Sequence, residues 1–415
     1  MNKISCCRIC ESERIIPFFD LGIQPLANSL LDDLSEQEQK YPLSLSFCSD
    51  CNLVQLNHTI DPKLLFSNYV WLSSTSTSSL NYAKQFCQSI IRKKKINKDS
   101  YILEIASNDG SFLMPFIQKG INVLGVDPAE NIVDIARKNG IPTICSFWKK
   151  SLADEIKAEK GYPSIIFARN VLPHVANINE FMSAVRMIAQ NDTLLVFEVH
   201  YAGKILDELH YDSIYHEHLC YFSLKSLESL LMRHQIFIND IFESPISGGS
   251  IVVFAGIQKK EKSAFLKKYG EQESNRQINM ISKWTNFSKL ATAHKEQMNA
   301  MIEQQVQKGA MITGYGASAR SSTLLNYCNI SSEQIKVIAD KNFLKQNKYT
   351  PGSKILINTP DNVLSKKPDV IVILAWNFLA EIADILMNYY NYSKEILIPL
   401  PYPPKLINIK ETSND

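Results

Sequence analysis

The sequence predicts an α/β protein in three parts: a small metal-stapled N-terminal piece followed by two doubly wound units. Three observations predict it. Two Cys-x-x-Cys pairs fall within the first 51 residues, β-branched runs alternate with helix-length segments between Tyr101 and Gly256, and a second such alternation runs from Ala310 to Ile398. Strands separated by crossover-length segments form parallel sheets covered by helices. At 415 residues the chain is too long for one ordinary core, so two or three domains are expected.

In chain order, residues 1 to about 60 hold the cysteine pairs, the turn residues Pro17, Gly22, Pro25 and Pro42, and few long periodic segments. The Ser/Thr-rich stretch from Asn68 to Asn81 reads as an ordered capping loop, because it contains Tyr69 and Trp71. The basic run Arg92 to Lys95 reads as a solvated helix end. Strands are expected at Tyr101–Ile105, Asn122–Val126, Ser164–Ala168 and Thr193–Val199. A helix near Leu224–His234 follows, and then Phe237–Phe242 and Ser250–Gly256, an antiparallel edge pair. Residues 260 to 308 read as long helices, and the second set of strands is Ala310–Thr313, Ile335–Ala339, Lys354–Ile357, Asp369–Leu374 and Glu395–Ile398.

Composition excludes several classes. Hydrophobic residues at 45% and charged residues at 21% suit a globular protein rather than a disordered one. A formal net charge of +2 gives no field to hold nucleic acid or an anionic membrane, so neither is expected as a partner. No apolar run is long enough to span a bilayer, and MNKISCCRIC has no signal core, so a cytoplasmic protein is expected. Nine cysteines, four of them in paired spacing near the start, then favour a metal site over disulfides.

Those four are Cys7, Cys10, Cys48 and Cys51. Each pair supplies two thiolates from one tight turn, and four thiolates make the closed tetrahedral shell of a structural zinc. Downstream, Glu104-Ile-Ala-Ser-Asn108-Asp109-Gly110 runs from a strand through a small-residue turn into a helix, and the next strand ends at Asp127-Pro128. Such a turn lets a ligand approach the backbone, and the later carboxylate can accept from ribose hydroxyls. With Glu104 at the strand end and no clean Gly-x-Gly-x-x-Gly, an adenosine ligand without a pyrophosphate fits better than NAD. Arg169-Asn170 and His174 follow the fourth strand, at the edge where such sheets bind ligands.

The densest titratable cluster is Tyr215-His216-Glu217-His218, in which Glu217 can orient an imidazole. A metal site and a structural hydrogen-bonded cluster stay open as alternatives there. In the second alternation, Gly314-Tyr315-Gly316-Ala317-Ser318-Ala319-Arg320 has a phosphate-admitting form, with Asp340 ending the next strand. NAD is a serious competitor at this turn.

These motifs in this order resemble the sugar C-methyltransferases that act on nucleotide-linked 4-keto-6-deoxy sugars. The likeness spans nearly the whole chain: both knuckles, Leu21 to Ser29, Tyr69 to Ser74, Glu104 to Gly110, Gly125 to Pro128, Asn170 to His174, Ile214 to His218, Gly248 to Ser250, Gly314 to Ala317, Tyr349 to Gly352 and Ala375 to Phe378. The resemblance implies a zinc-binding N-terminal domain over 1–67, a central class I (Rossmann-like) methyltransferase domain over 68–258 and a helical connector over 259–308. A C-terminal Rossmann-like nucleotide-sugar-binding domain over 309–415 completes it. It implies S-adenosylmethionine at Glu104, Ser107, Asn108, Asp109, Asp127, Pro128 and Asn170. The sugar nucleotide is implied at Tyr315, Gly316, Ala317, Ser318, Arg320, Asp340, Tyr349, Trp376 and Asn377. Three residues depart from the family pattern: Ala106 for a usual Gly, Trp71 for an aromatic hydroxyl, and Arg320 for a usual Lys, which alters phosphate geometry and leaves thymidine and guanosine both open.

A carbon attacks a sulfonium methyl only after it becomes a nucleophile, and a 4-keto group acidifies the proton on carbon 3. The expected base is His218, by resemblance and by its neighbours, with Tyr215, Tyr69 and His174 stabilising the enolate or holding the sugar and Glu217 orienting the site. The alternatives are an NAD-dependent oxidoreductase or epimerase, an oxygen or nitrogen methyltransferase, and, disfavoured by the near-neutral charge, a zinc-ribbon binding module. The oligomeric state stays open, a monomer among the options.

Overall fold

The structure is a computed structural model that describes residues 1–66, 71–96 and 100–414. The chain divides into two compact units, and neither is one continuous stretch. The first comprises Met1–Pro17, Ser46–Gly203 and Leu219–Ile281, and the second Phe18–Leu45, Lys204–His218 and Ser282–Asp415. Boundaries read from sequence are contiguous by construction, whereas this chain leaves and re-enters each unit. The strands Ile15–Pro25 and Lys40–Cys48 carry it out of the first unit and back. They are longer than the turn-rich reading of this region suggested, because Pro17, Gly22 and Pro42 break the alternation that would have marked them.

The first unit is built on a seven-stranded sheet. Its spatial order is Phe237–Ser244, Ser250–Gly256, Leu194–His200, Ile165–Arg169, Tyr101–Ile105, Asn122–Asp127 and Thr143–Cys145. Ser250–Gly256 runs antiparallel to both its neighbours, and the other pairings are parallel. This is the Rossmann-like methyltransferase order. The chain reverses direction across the sheet between Tyr101–Ile105 and Ile165–Arg169, so the crevice beyond their carboxyl ends is where a ligand is expected.

Local sequence explains the covering helices. Thr77–Lys93 starts at Ser76, whose side chain accepts from Ser79 N, and it buries Tyr82, Ala83, Phe86, Cys87 and Ile90 on one face. It ends in Arg92 and Lys93, and Lys93 pairs with Asp240. Phe86, Phe112, Phe116 and Phe167 meet edge-on or tilted in the core beneath it.

Helix Leu224–Arg233 has a Ser223–Ser226 capping box, and the buried Glu273 from Ala264–Asn275 completes its start. The Glu273 carboxylate accepts from Leu224 N (2.7 Å), Lys225 N (3.0 Å), the Tyr201 hydroxyl (2.9 Å) and Asn279 Nδ2 (2.8 Å). A negative group is favourable at a helix N-terminus, where backbone N–H groups lack partners.

The second unit is built on a six-stranded sheet in the order Leu356–Asn358, Val337–Ala339, Ile312–Tyr315, Val370–Ile373, Glu395–Ile398 and Lys405–Asn408. All pairings are parallel except the last. The antiparallel edge strand Lys405–Asn408 was not expected from the sequence, whose short run of mixed residues carries little periodic signal. Helix Ile281–Gln307 buries Trp284, Phe287, Ala291, His294, Met298 and Ile302 at helical spacing. Phe19 packs edge-on against Phe287 and Tyr327, and Leu31 bridges Tyr349, which fastens Phe18–Leu45 to this unit. No helix among the described residues is long and apolar enough to cross a membrane.

Replacing Glu273 by Ala should cost about 2–4 kcal/mol, since the buried Leu224 N–H, the part-buried Lys225 N–H and the buried Tyr201 hydroxyl lose their acceptor. Urea denaturation of the two proteins measures it, and a loss below roughly 0.5 kcal/mol, the range of neutral surface changes, would remove Glu273 from this role.

Candidate functional site

The four cysteines of the knuckles converge: Cys7 Sγ lies 3.4 Å from Cys51 Sγ and Cys10 Sγ 3.5 Å from Cys48 Sγ, with all four sulfurs within 4.8 Å of one another. The two knuckles repeat one backbone design. Glu11 N donates to Cys7 O and Cys7 N to Ser12 O, just as Asn52 N donates to Cys48 O and Cys48 N to Leu53 O. Glu11 and Asn52 both take a φ of 63° to close their turns. Four thiolates around one divalent zinc carry a net −2, and the half-buried Arg8, between the first two ligands in sequence, supplies a nearby positive charge. Its guanidinium is held by the Leu56 and His58 carbonyls.

At the carboxyl end of Tyr101–Ile105 the chain turns through Ala106 (φ 59°) and Asn108 (φ 50°). Asp127, ending the neighbouring strand, holds this turn: Oδ2 accepts from Asn108 N (2.9 Å) and Oδ1 from Ala129 N (3.0 Å). Asn108 Oδ1 and Asp109 Oδ2 accept from Ser73 N (3.0 Å) and Ser74 N (2.9 Å). A Cβ on Gly125 would lie 2.5 Å from Ser107 Oγ, so this strand must have glycine there. Two buried polar atoms in the region, Glu104 Oε2 and Ser107 Oγ, have no partner among the described residues. Burial pushes the Glu104 carboxyl well up, opposed by the positive charge of Arg169.

Arg169 itself donates to Glu198 Oε2 (2.7 Å) and sits 3.1 Å from the centroid of the Phe112 ring, while the Tyr82 hydroxyl donates to Glu198 Oε1 (2.9 Å). Asn170 (φ 50°) follows, its N–H bonded to Glu198 O, and His174 packs edge-on against Phe66 at 5.6 Å. This arrangement, with unsatisfied carboxyl and hydroxyl oxygens beside a nucleotide-type turn, fits a cationic adenosyl ligand. Sequence reasoning singled out Glu104, Ser107, Asn108, Asp109, Asp127, Pro128, Asn170 and His174, which this unit contains. It placed Arg169 at this edge but missed its buried partners Glu198 and Tyr82, because the three lie far apart in the chain.

The titratable cluster belongs to the second unit. His218 Nδ1 lies 2.8 Å from the Ser213 carbonyl, which can only accept, so Nδ1 carries the proton. Nε2 is then the acceptor for the Tyr215 hydroxyl at 2.7 Å. Burial raises the Tyr215 pKa far above the ordinary tyrosine value, so its phenol stays a donor. Glu217 Oε1 accepts from Asn28 Nδ2 at 2.7 Å, and His216 Nε2 lies 3.2 Å from the Tyr41 carbonyl. His174 is in the first unit and Tyr215, Glu217 and His218 are in the second. Tyr69 lies outside the described residues.

The Gly-rich turn of the second unit repeats the device of the first. Asp340 Oδ2 accepts from Ala317 N (2.7 Å) and Oδ1 from Asn342 N (2.8 Å). Ser318 caps helix Ala319–Cys328 reciprocally with Ser321. Gly316 (φ 95°) could not carry a side chain, since a Cβ would lie 2.4 Å from that of Ala375. The buried Tyr315 hydroxyl has no partner among the described residues. Arg320, expected at a phosphate, forks onto Asp212, with Nε at 3.1 Å and Nη2 at 2.8 Å, and Trp376 Nε1 donates to the same carboxylate at 2.8 Å. Asn377 follows Trp376 in the short turn Trp376–Phe378, and Tyr349 sits at the bridge to Leu31. Asp212 went unnoticed in the sequence; its only signal is that it lies three residues before the Tyr215–His218 cluster.

Metal analysis of the purified protein should find about one zinc per chain, and the double change Cys48→Ser with Cys51→Ser should remove it and lower the thermal midpoint, because site formation is coupled to folding. Ala106→Gly should stabilise by up to about 1 kcal/mol in urea titration, since relief of the left-handed strain outweighs the added freedom of the unfolded chain; a loss of stability would show that the Ala106 methyl packs usefully.

Comparison with known proteins agrees with this architecture. Residues 7–66 match a zinc binding domain family, residues 80–235 a family described as methyltransferase domain, and residues 245–401 one described as C-methyltransferase C-terminal domain. The chain is 30% identical over 417 residues to the C-methyltransferase NovU of Streptomyces niveus, covering 99% of each. Among solved structures, it matches the magnesium protoporphyrin IX methyltransferase of Synechocystis PCC 6803 with bound S-adenosylmethionine (14% identity, TM-score 0.32, 43% of this chain and 79% of that one). It also matches an S-adenosylmethionine-dependent methyltransferase of Clostridium acetobutylicum ATCC 824 (12% identity, TM-score 0.35, 43% and 92%). These partial matches add nothing to the strand order already described. The chain is therefore a zinc-binding, S-adenosylmethionine-dependent C-methyltransferase and belongs to the sugar C-methyltransferase family.

Proposed function

We propose that the chain methylates carbon 3 of a TDP- or GDP-linked 4-keto-6-deoxy sugar through an enolate, in branched deoxysugar biosynthesis. The observation that carries this reading is the state of His218: its Nδ1 proton is committed to the Ser213 carbonyl, so the basic lone pair lies on Nε2, where it accepts from the Tyr215 hydroxyl. Glu104, Ser107, Asn108, Asp109, Asp127, Pro128 and Asn170 would hold the methyl donor, and a bound sulfonium would favour the charged form of Glu104. When bound, the donor would supply an electrophilic methyl group, its sulfur keeping the electron pair of the broken S–C bond as the new C–C bond forms.

The residues of the chain do the rest. His218 Nε2 takes the proton from carbon 3, and the electrons of that C–H bond form the enolate double bond while the carbonyl pair moves onto oxygen. Tyr215, whose hydroxyl rests on Nε2, shifts its hydrogen bond to the developing oxyanion and so frees the lone pair that removes the proton. Glu217, fixed by Asn28, supports the positive charge that forms on the imidazole, and His174 and Tyr69 hold the sugar. Tyr315, Gly316, Ala317, Ser318, Arg320, Asp340, Tyr349, Trp376 and Asn377 would line the nucleotide end. A cytoplasmic location suits a reduced thiol cluster holding zinc, and neither nucleic acid nor membrane is required as a partner.

His218→Ala should leave binding of the methyl donor intact by calorimetry while slowing both deuterium exchange at carbon 3 and methylation about 100- to 10,000-fold. Undiminished turnover would remove His218 from the role. Product NMR with a panel of TDP- and GDP-linked keto-sugars reads which atom gains the methyl group, and a methyl on oxygen, nitrogen or another carbon would overturn the assignment to carbon 3.

A further inference from the structure

The hydrogen bond that sets the state of His218 comes from a backbone carbonyl. A carbonyl has no rotamer of its own, so the aim of the imidazole inherits whatever fixes the Ser213 peptide plane. That peptide ends the short turn Tyr211–Ser213, which is braced within the second unit from several sides. Tyr211 donates through its hydroxyl to His294 Nδ1 (2.9 Å), whose Nε2–H is taken by the Pro399 carbonyl (2.6 Å). Ser213 Oγ donates to the His210 carbonyl (2.6 Å), and Thr323 Oγ1 to the Ile214 carbonyl (2.9 Å).

The strongest brace is Asp212, whose side chain is only 1% exposed. It accepts two parallel bonds from Arg320 and one from the Trp376 indole, and the guanidinium lies 4.5 Å from the Trp376 ring centroid. Arg320 and Thr323 are three residues apart on helix Ala319–Cys328, so one helix face grips the loop on both sides of Ser213. A buried ion pair gives little net stability against an apolar replacement, but a bidentate fork fixes direction. The Tyr215 phenol, which touches His218, feels the charges of Glu217, Arg320 and Asp212.

We propose that Asp212, clamped by Arg320 and Trp376, is a positioning residue that holds the Ser213 carbonyl and thereby keeps His218 in the Nδ1–H form with Nε2 as the base. This rests on the reading of His218 as the base. It also gives Arg320 and Trp376 a part in rate, where the sequence suggested a part in nucleotide affinity.

The test compares Asp212→Asn, Trp376→Phe and Arg320→Lys with the wild-type protein labelled with 15N-histidine, using His218→Ala to assign the signal. Wild-type His218 should show a protonated Nδ1 and an unprotonated Nε2, and each variant should populate the other tautomer. For the substrate that the wild type methylates, kcat should fall about 10- to 100-fold in each variant, with KM little changed in Asp212→Asn, a residue given no nucleotide contact. Weaker binding of TDP or GDP by calorimetry, with the tautomer and kcat unchanged, would overturn the proposal in favour of a nucleotide contact. Should Asp212→Asn fail to fold by circular dichroism, Trp376→Phe, which keeps an aromatic ring and removes one N–H, decides the matter by the same readouts. Normal turnover by His218→Ala would sink the base reading itself, whereas an inactive His218→Ala beside unaltered positioning variants would sink this proposal alone.

Discussion

A strand that ends in a turn into a helix leaves backbone N–H groups with no partner, and this chain meets that constraint the same way in its seven-stranded and six-stranded sheets. In each, the carboxylate that ends the second strand reaches back to the turn after the first: Asp127 to Asn108 N, Asp340 to Ala317 N. The other oxygen of each carboxylate caps an N–H two residues further on. Once the turn is fixed, the ends of the central strands are fixed too, and with them the side chains that a ligand at the switch point would meet. The constraint also explains local strain. Ala106 and Asn108 adopt left-handed backbone conformations because the turn demands them, and Gly316 is required where the backbone approaches Ala375.

Electrostatics then separates the two units. In the first, two buried carboxyl groups, Glu104 and Glu198, face one guanidinium, Arg169, and burial holds Glu104 towards its protonated form. Such a site is short of positive charge, the condition in which a sulfonium ligand is welcome. In the second, the buried Asp212 finds its cation in Arg320, so the charge there is already balanced and what remains is geometry: a turn that presents one carbonyl to one imidazole.

Much of this was legible in the sequence where a periodic or spacing signal was strong. Tyr101–Ile105, Ser250–Gly256 and Glu395–Ile398 coincide with strands because β-branched runs between turn signals have few other solutions. The zinc ligands were legible because two thiolates per knuckle impose a fixed spacing. The strands Ile15–Pro25 and Lys40–Cys48 were not, since proline and glycine interrupt their alternation, and the edge strand Lys405–Asn408 carries too short a pattern.

What the sequence determined by itself was therefore the local chemistry: the knuckles, the two nucleotide-type turns, the carboxylates that end the next strands, and the histidine cluster. Each is a short-range pattern in which residue type and spacing already limit the structure. What only the tertiary structure decided was the partnership of distant groups. Asp212 meets Arg320 and Trp376, His218 takes its tautomer from a carbonyl, and Glu273 caps a helix forty-nine residues earlier in the chain, |i−j| = 49. Hydrogen bonds and ion pairs act over a few ångströms whatever the separation along the chain, so a pattern read along the sequence cannot contain them.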